Sequence, residues 1–136
     1  MISMITVIVK KYDDAIEYFT KVLGFDLIED TQLGDGKRWV VVSTDATEEN
    51  ATRLLLAEAA NDEQRFVVGN QAGGRVLVFL YTADFDHTYQ VYKERGVHFC
   101  EAPREEPYGK VVVFKDLYGN KWDLIEPRAQ RNQLSA

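Results

Sequence analysis

Apolar and polar positions alternate along most of the chain in runs of six to eight residues, and helical spacing replaces this period twice. Residues 2–9 place Met4, Thr6 and Ile8 on one side and Ile5, Val7 and Val9 on the other, which predicts a first strand. Asp13 or Asp14 is expected to cap the helix that follows, and Asp14 and Glu17 have the spacing of a capping box. Ile16, Phe19, Val22 and Leu23 recur at helical spacing, so this helix should pack on a sheet and stop at Gly24. Residues 25–31, 37–43 and 53–58 read as strands. They are separated by a turn at 33–36 and by a polar, acidic loop at 44–52.

Residues 61–74 form a connector, with a short helix or strand at 64–68 and permissive backbone at 69–74. The run Gly69-Asn70-Gln71-Ala72-Gly73-Gly74 lacks the Gly-Lys-Ser/Thr of a phosphate loop and precedes a strand, so it reads as a linker. Residues 75–82 are the fifth strand. Asp84 or Asp86 starts a helix with Phe85, Tyr89 and Tyr92 inward, ended by Gly96. A strand at 97–101 and a rigid loop at 103–107 lead into residues 108–127, which read as a complete hairpin. There an apolar run at 110–115 meets the turn Asp116-Leu117-Tyr118-Gly119-Asn120, then an alternating strand at 121–126 that stops before Pro127. Asp123 shares a face with Ile125 between large apolar neighbours, so its carboxylate must meet water, a donor, a ligand or a metal. Residues 128–136 are polar and expected to fray.

The second half repeats the first. Val7 lies on Leu80 and Tyr12 on Phe85, each 73 residues further on, and Gly36-Lys37 falls on Gly109-Lys110 at the same offset. Glu58 falls on Glu126 at an offset of 68, because the first copy has the longer loop. Both halves read strand, helix, strand, strand, strand. The predicted fold is therefore α+β: two paired βαβββ modules form an incomplete barrel around a cleft, within a single domain spanning 1–136. Module one covers about 1–60, the linker 61–74, module two about 75–127 and the tail 128–136.

A length of 136 residues suits one domain with a real core, and a net charge of −6 argues against binding nucleic acid or an anionic membrane. No stretch is apolar enough to span a bilayer and the first residues do not read as a signal peptide. The single cysteine, Cys100, cannot form an internal disulfide, and a cytoplasmic location is expected. Cys100 is expected to be a buried, inert thiol, and Glu58 and Glu126 to sit at the rim. Glu101, Glu105 and Glu106 are expected in a solvated loop. His87 should face solvent, and His98 is a satisfied polar position or a cleft residue. Periodicity does not assign a face to Trp39 or Tyr108.

The Asp116, Gly119, Asn120 and Asp123 pattern resembles the last hairpin of the vicinal oxygen chelate superfamily, the relatives of glyoxalase I, bleomycin-resistance proteins and extradiol dioxygenases. Val7 to Lys10, followed by Asp14 to Phe19 and Leu23-Gly24-Phe25, is similar to the front of the same family. The resemblance implies a small-molecule site in the cleft and a homodimer. In metal-using members it also implies four His, Gln or Glu ligands on the first and last strands of the modules. Those positions fall here at Met4, Leu77, Leu55 and Asp123. Leucine donates nothing and a thioether is a poor ligand for a hard cation, so no metal and no other cofactor is expected. Phe79 and Tyr81, with Leu77, and Thr6, beside Met4, are expected to line an apolar, aromatic cleft whose one charge is Asp123. Three readings stand: a metal-free binder of a hydrophobic ligand fixed by Asp123, a metal-dependent lyase or dioxygenase of the glyoxalase I type, and a metal-free enzyme with Asp123 as general base.

Overall fold

In the computed structural model of the chain, residues 1–128 are described, and they divide into two compact units, 1–71 and 72 onward. The expected tail from residue 129 on lies outside the described residues. The first unit contains β1 (Met4–Val9), α1 (Tyr12–Glu17), β2 (Asp26–Gly34), β3 (Lys37–Ser43), β4 (Arg53–Glu58) and α2 (Asp62–Val67). The second contains β5 (Val76–Tyr81), α3 (Phe85–Glu94), β6 (His98–Phe99), β7 (Arg104–Glu106), β8 (Gly109–Lys115) and β9 (Lys121–Pro127). The first sheet has the order β1-β4-β3-β2. The second has β5-β9-β8-β6, with β7 also paired to β8. The first and last strands of each unit run parallel, β1 beside β4 and β5 beside β9. This is the βαβββ plan twice over.

Each sheet turns one face to its own helix. Val7, Val9, Val40, Val42 and Leu56 are fully buried in the first unit with Phe19, and Phe114, Trp122, Val112 and Leu124 in the second with Phe85. Each such side chain contributes roughly 1.5–3 kcal/mol by leaving water. Asp123 lies on the opposite face, because the strand period of two separates it from Trp122 and Leu124.

The helix starts differ from expectation in an informative way. Lys11, not Asp13 or Asp14, is the N-cap of α1, and no side chain of the segment itself caps it. Instead Glu58, at the end of β4, accepts from the Tyr12 N–H at 3.1 Å, and Glu126, on β9, accepts from the Phe85 N–H at 2.9 Å. A carboxylate delivered from the neighbouring strand thus meets the exposed amides and partial positive charge of each helix start. These glutamates anchor helices rather than sit idle at a rim. In α3, Asp84 adds the expected local cap by accepting from the His87 N–H. Beyond Glu17 the first helix loosens into a π-helical turn, Tyr18–Val22, before Gly24 leaves it at φ 77°.

Other boundaries shift for identifiable reasons. β2 extends to Gly34, because Asp35 and Gly36 both adopt positive φ and close the hairpin in two residues. The strand expected at 97–101 is only His98–Phe99. The loop expected at 103–107 contains β7, whose Arg104, Glu105 and Glu106 pair with Val111, Lys110 and Gly109. Pro103 and Pro107 bracket this strand without occupying it, so they remove no ladder hydrogen bond. The connector is also less loose than expected. Asn61 caps α2 by accepting from Gln64, and Gln71 lays its amide along the outer edge of β1, accepting from the Ile8 N–H at 2.6 Å and donating to the Thr6 carbonyl at 3.2 Å. A primary amide offers the same donor and acceptor as a peptide group, so it can stand in for a strand there. No helix of the described residues is long and apolar enough to cross a membrane.

Gly109 opens β8 at φ 153°, and a Cβ built there would lie 2.2 Å from the Glu126 carbonyl oxygen. Gly109→Ala is therefore expected to destabilise the protein by about 2 kcal/mol or more, since backbone must move. Urea denaturation against the parent checks this, and an unchanged midpoint would show that the β8–β9 entrance yields freely.

Candidate functional site

The hairpin turn sets the site. Asp116 is buried, and its Oδ1 accepts from the backbone amides of Tyr118, Gly119 and Asn120 at 3.0, 3.1 and 3.1 Å. Its Oδ2 accepts from the Trp122 indole N–H at 2.9 Å. One carboxylate thereby ties the turn to the first core residue of β9 and fixes the register in which Asp123 lies between Val113 of β8 and Phe79 of β5. The Cys100 amide donates to the Val113 carbonyl, which extends the row. Cys100, Val113, Asp123 and Phe79 thus cross the sheet side by side.

This row borders a cavity of about 510 Å³ in the second unit, lined by Arg75, Val76, Phe79, Cys100, Glu101, Val113, Lys121 and Asp123 together with Gly74. Asp123 is only 7 % exposed, and its Oδ1 is sealed from solvent with no donor among the described residues reaching it. Burial pushes its carboxyl above the usual carboxylate range; Arg104 draws it down and Glu101 pushes it further up. Glu101 is committed elsewhere: it accepts from the Arg104 Nε–H at 3.1 Å and from the Val113 N–H at 3.0 Å. Arg104 also donates to Glu106 at 2.7 Å. Phe79 is 61 % exposed, so a large ring face stands open beside the buried acid.

Among the predicted site residues, Phe79 and Asp123 come together in this cavity, and Tyr81 lies one row along, exposed, opposite Ile125. Leu77 is the extra residue of a bulge, because Val76 pairs with Lys121 and Val78 with Trp122. In the first unit Thr6 pairs with Leu55, and Leu55 with Val41. Met4, with Trp39, Val41, Glu29 and Arg53, lines a smaller cavity of about 270 Å³ on that sheet. Trp39 thus faces the Met4 side of its own sheet.

Several expectations for this region require correction. Cys100 is exposed and lines the cavity instead of being buried, because its place beside Val113 puts it on the open Asp123 face of the sheet. Asp123 is not the cavity's one charge, since Arg75, Glu101 and Lys121 line it too. Alternation could have shown Lys121, two residues before Asp123 on the same face. Glu101 and Arg104 could not be found that way, because their placement depends on the break between β6 and β7. Glu101 and Glu106 bridge Arg104, so they are not a simple solvated loop. His98 and His87 are exposed.

The sequence model of the Glyoxalase/Bleomycin resistance protein/Dioxygenase superfamily matches residues 1–124. The chain belongs to that superfamily. A curated protein of Shewanella frigidimarina is 50 % identical over 123 residues, covering 90 % of each chain. Among solved structures, UcmS2 superposes with a TM-score of 0.80 at 25 % identity, covering 93 % of this chain and 97 % of its own. TnmS3, an antibiotic binding protein from Streptomyces sp. CB03234, superposes with a TM-score of 0.74 at 26 % identity, covering 94 % and 96 %.

Members of this superfamily that use a metal need converging oxygen and nitrogen donors, and the side chains at the equivalent positions here do not supply them. The repeat brings Met4, Leu55 and Leu77, or Val76 by the observed register, to three of the four positions, and none is a suitable donor for a hard dication. Among the described residues, no group of three or more His, Cys, Asp and Glu is arranged to hold a metal ion. What the second sheet offers is a desolvated carboxylate, an open aromatic face, a thiol and cations at one cavity.

Proposed function

We propose that the chain is a small-molecule-binding protein of this superfamily that holds a hydrophobic organic ligand on the Asp123 face of its second sheet, without a metal. The observation that carries this reading is the buried Asp123, whose carboxylate meets no donor among the described residues, at the wall of a cavity of about 510 Å³ next to the exposed Phe79 ring. That volume falls in the range of small-molecule sites. A desolvated carboxylate costs several kcal/mol unless something bonds to it, and a ligand hydroxyl or N–H would supply that bond. The likeness to TnmS3, an antibiotic binding protein, supports a binding role. Met4, Thr6 and Leu55, on the sheet of the first unit, are secondary contributors in this reading. The same burial of Asp123 favours one second reading, a metal-free enzyme in which Asp123 accepts a proton from its substrate.

We further propose a homodimer in the cytoplasm, supported by the nine-residue edge strand β2 with its exposed Leu27 and Leu33. Native mass spectrometry of freshly purified protein tests these points together. The expected spectrum shows a dimer, an organic adduct and no metal. Near-stoichiometric Fe, Mn, Ni or Zn after dialysis would overturn the metal-free reading. Consumption of the adduct with release of a product would replace the binder by the enzyme.

A further inference from the structure

The cations around Asp123 carry more information than the proposed binding role uses. Arg38, Arg65, Arg104, Arg128 and Lys110 each hold a carboxylate in an ion pair. Arg75 and Lys121 both line the Asp123 cavity, and neither makes an ion pair among the described residues. The cavity's own acids do not answer them. Glu101 is taken by Arg104 and the Val113 amide, and Asp123 makes no ion pair among the described residues. Lys121 shares the face of Asp123 two residues away on β9, and its ladder partner is Val76, next to Arg75. Two positive groups without an ion pair among the described residues therefore lie beside the row Phe79–Asp123–Val113–Cys100, which is otherwise a ring, an aliphatic surface and a thiol.

Resting on the binding role proposed above, we infer that this cavity takes an aromatic organic acid: its carboxylate lies between Arg75 and Lys121, its ring against Phe79 and Val113, and a hydroxyl donates to Asp123. The Asp123 carboxylate, 7 % exposed at the cavity wall and without a hydrogen bond among the described residues, calls for a donor, and two cations without an ion pair among those residues call for an anion. A ligand that carried only one of these groups would leave the other demand unmet. A guanidinium–carboxylate hydrogen bond is charge-assisted and stronger than a neutral one, and here it forms beside a wall that already excludes part of the solvent. A cationic ligand is disfavoured, because it would meet Arg75 and Lys121 before it reached Asp123.

Three probes with one ring system separate the outcomes: 6-hydroxy-2-naphthoate, the neutral 2-naphthol, and the cationic 2-naphthylmethylammonium. Affinity is read by calorimetry, and occupancy independently by protection of Cys100, the protein's only cysteine, from iodoacetamide. The acid is expected to bind about tenfold tighter than 2-naphthol at low salt, with the advantage shrinking as salt screens the exposed Arg75 and the half-buried Lys121. It should also slow alkylation of Cys100 in proportion to occupancy. Arg75→Gln and Lys121→Gln should each remove most of that advantage, so that the ratio of acid to naphthol affinity falls toward one, with no loss in the thermal midpoint. Equal affinities for acid and naphthol, a preference for the ammonium, or an acid preference that survives both substitutions would overturn the inference and leave the binding role standing. If no probe binds and none protects Cys100, an aromatic ligand at this cavity is refuted and the binding role goes with it.

Discussion

Asp116→Ala is expected to destabilise the protein by about 3–5 kcal/mol, because it leaves buried donors without their acceptor. Four donors converge on this one carboxylate: the amides of Tyr118, Gly119 and Asn120, and the indole N–H of Trp122. Trp122 is fully buried, so its indole cannot turn to water without opening the core. For a domain of this size the loss corresponds to a fall in Tm of roughly 10–20 °C. Asp116→Asn should fall between the two. Its carbonyl oxygen can still accept the backbone amides, but its amino group would face the indole donor, and two donors cannot bond each other. Differential scanning calorimetry of the three proteins checks the order. A drop of only one or two degrees for Asp116→Ala would show that the turn is held by its backbone alone.

The second large effect separates stability from binding. Asp123→Leu is expected to raise stability by about 1–3 kcal/mol and to abolish ligand binding. Asp123 is buried with an unpartnered oxygen, so removing the charge relieves a desolvation cost that no hydrogen bond offsets. Asp123→Asn should stabilise less, because a polar group remains. The pH dependence has a definite sign. Burial pushes the Asp123 carboxyl up, so the folded protein takes up this proton more readily than the unfolded chain. Stability contributed by the protonated group is present at acid pH and is lost as pH rises through the folded value. The advantage of Asp123→Asn over the parent is therefore largest at neutral pH and shrinks as pH is lowered into the carboxylate range. Urea denaturation at several pH values, with calorimetric binding on the same samples, reads both halves. If Asp123→Leu still binds the ligand, the proposed site is wrong. If it is less stable than the parent, Asp123 has a structural partner.

The two glutamates show how the repeat carries physical meaning. Glu58 and Glu126 were aligned by sequence at an offset of 68, and each accepts from the first amide of its unit's outer helix. Their equivalence was legible, but their task was not: it depends on a parallel strand pair that brings the end of β4 or β9 beside a helix start some forty residues earlier in the chain. Cys100 failed for a related reason. Period two sets Cys100 opposite Phe99, on the open face of Val113 and Asp123, and the strand then breaks before it resumes at Arg104. Local propensity cannot see such a break, because partner β8 provides the hydrogen bonds on both sides of it.

The sequence by itself determined the doubled βαβββ order, the hairpin around Asp116 and the family. Those features rest on short-range constraints: apolar period, glycines that accept positive φ, and a carboxylate within hydrogen-bonding reach of its own turn. It also placed Asp123 on the face away from the helix, because strand alternation leaves no other choice beside Trp122 and Leu124. Only the tertiary structure decided what stands around that carboxylate. Arg75, the adjacent pair Cys100 and Glu101, and Lys121 come from three separate stretches of the second unit and meet at one cavity. The bulge that sets Leu77 aside shifts that register by one residue. Register is a property of paired strands rather than of any one of them, so no single stretch of sequence contains it.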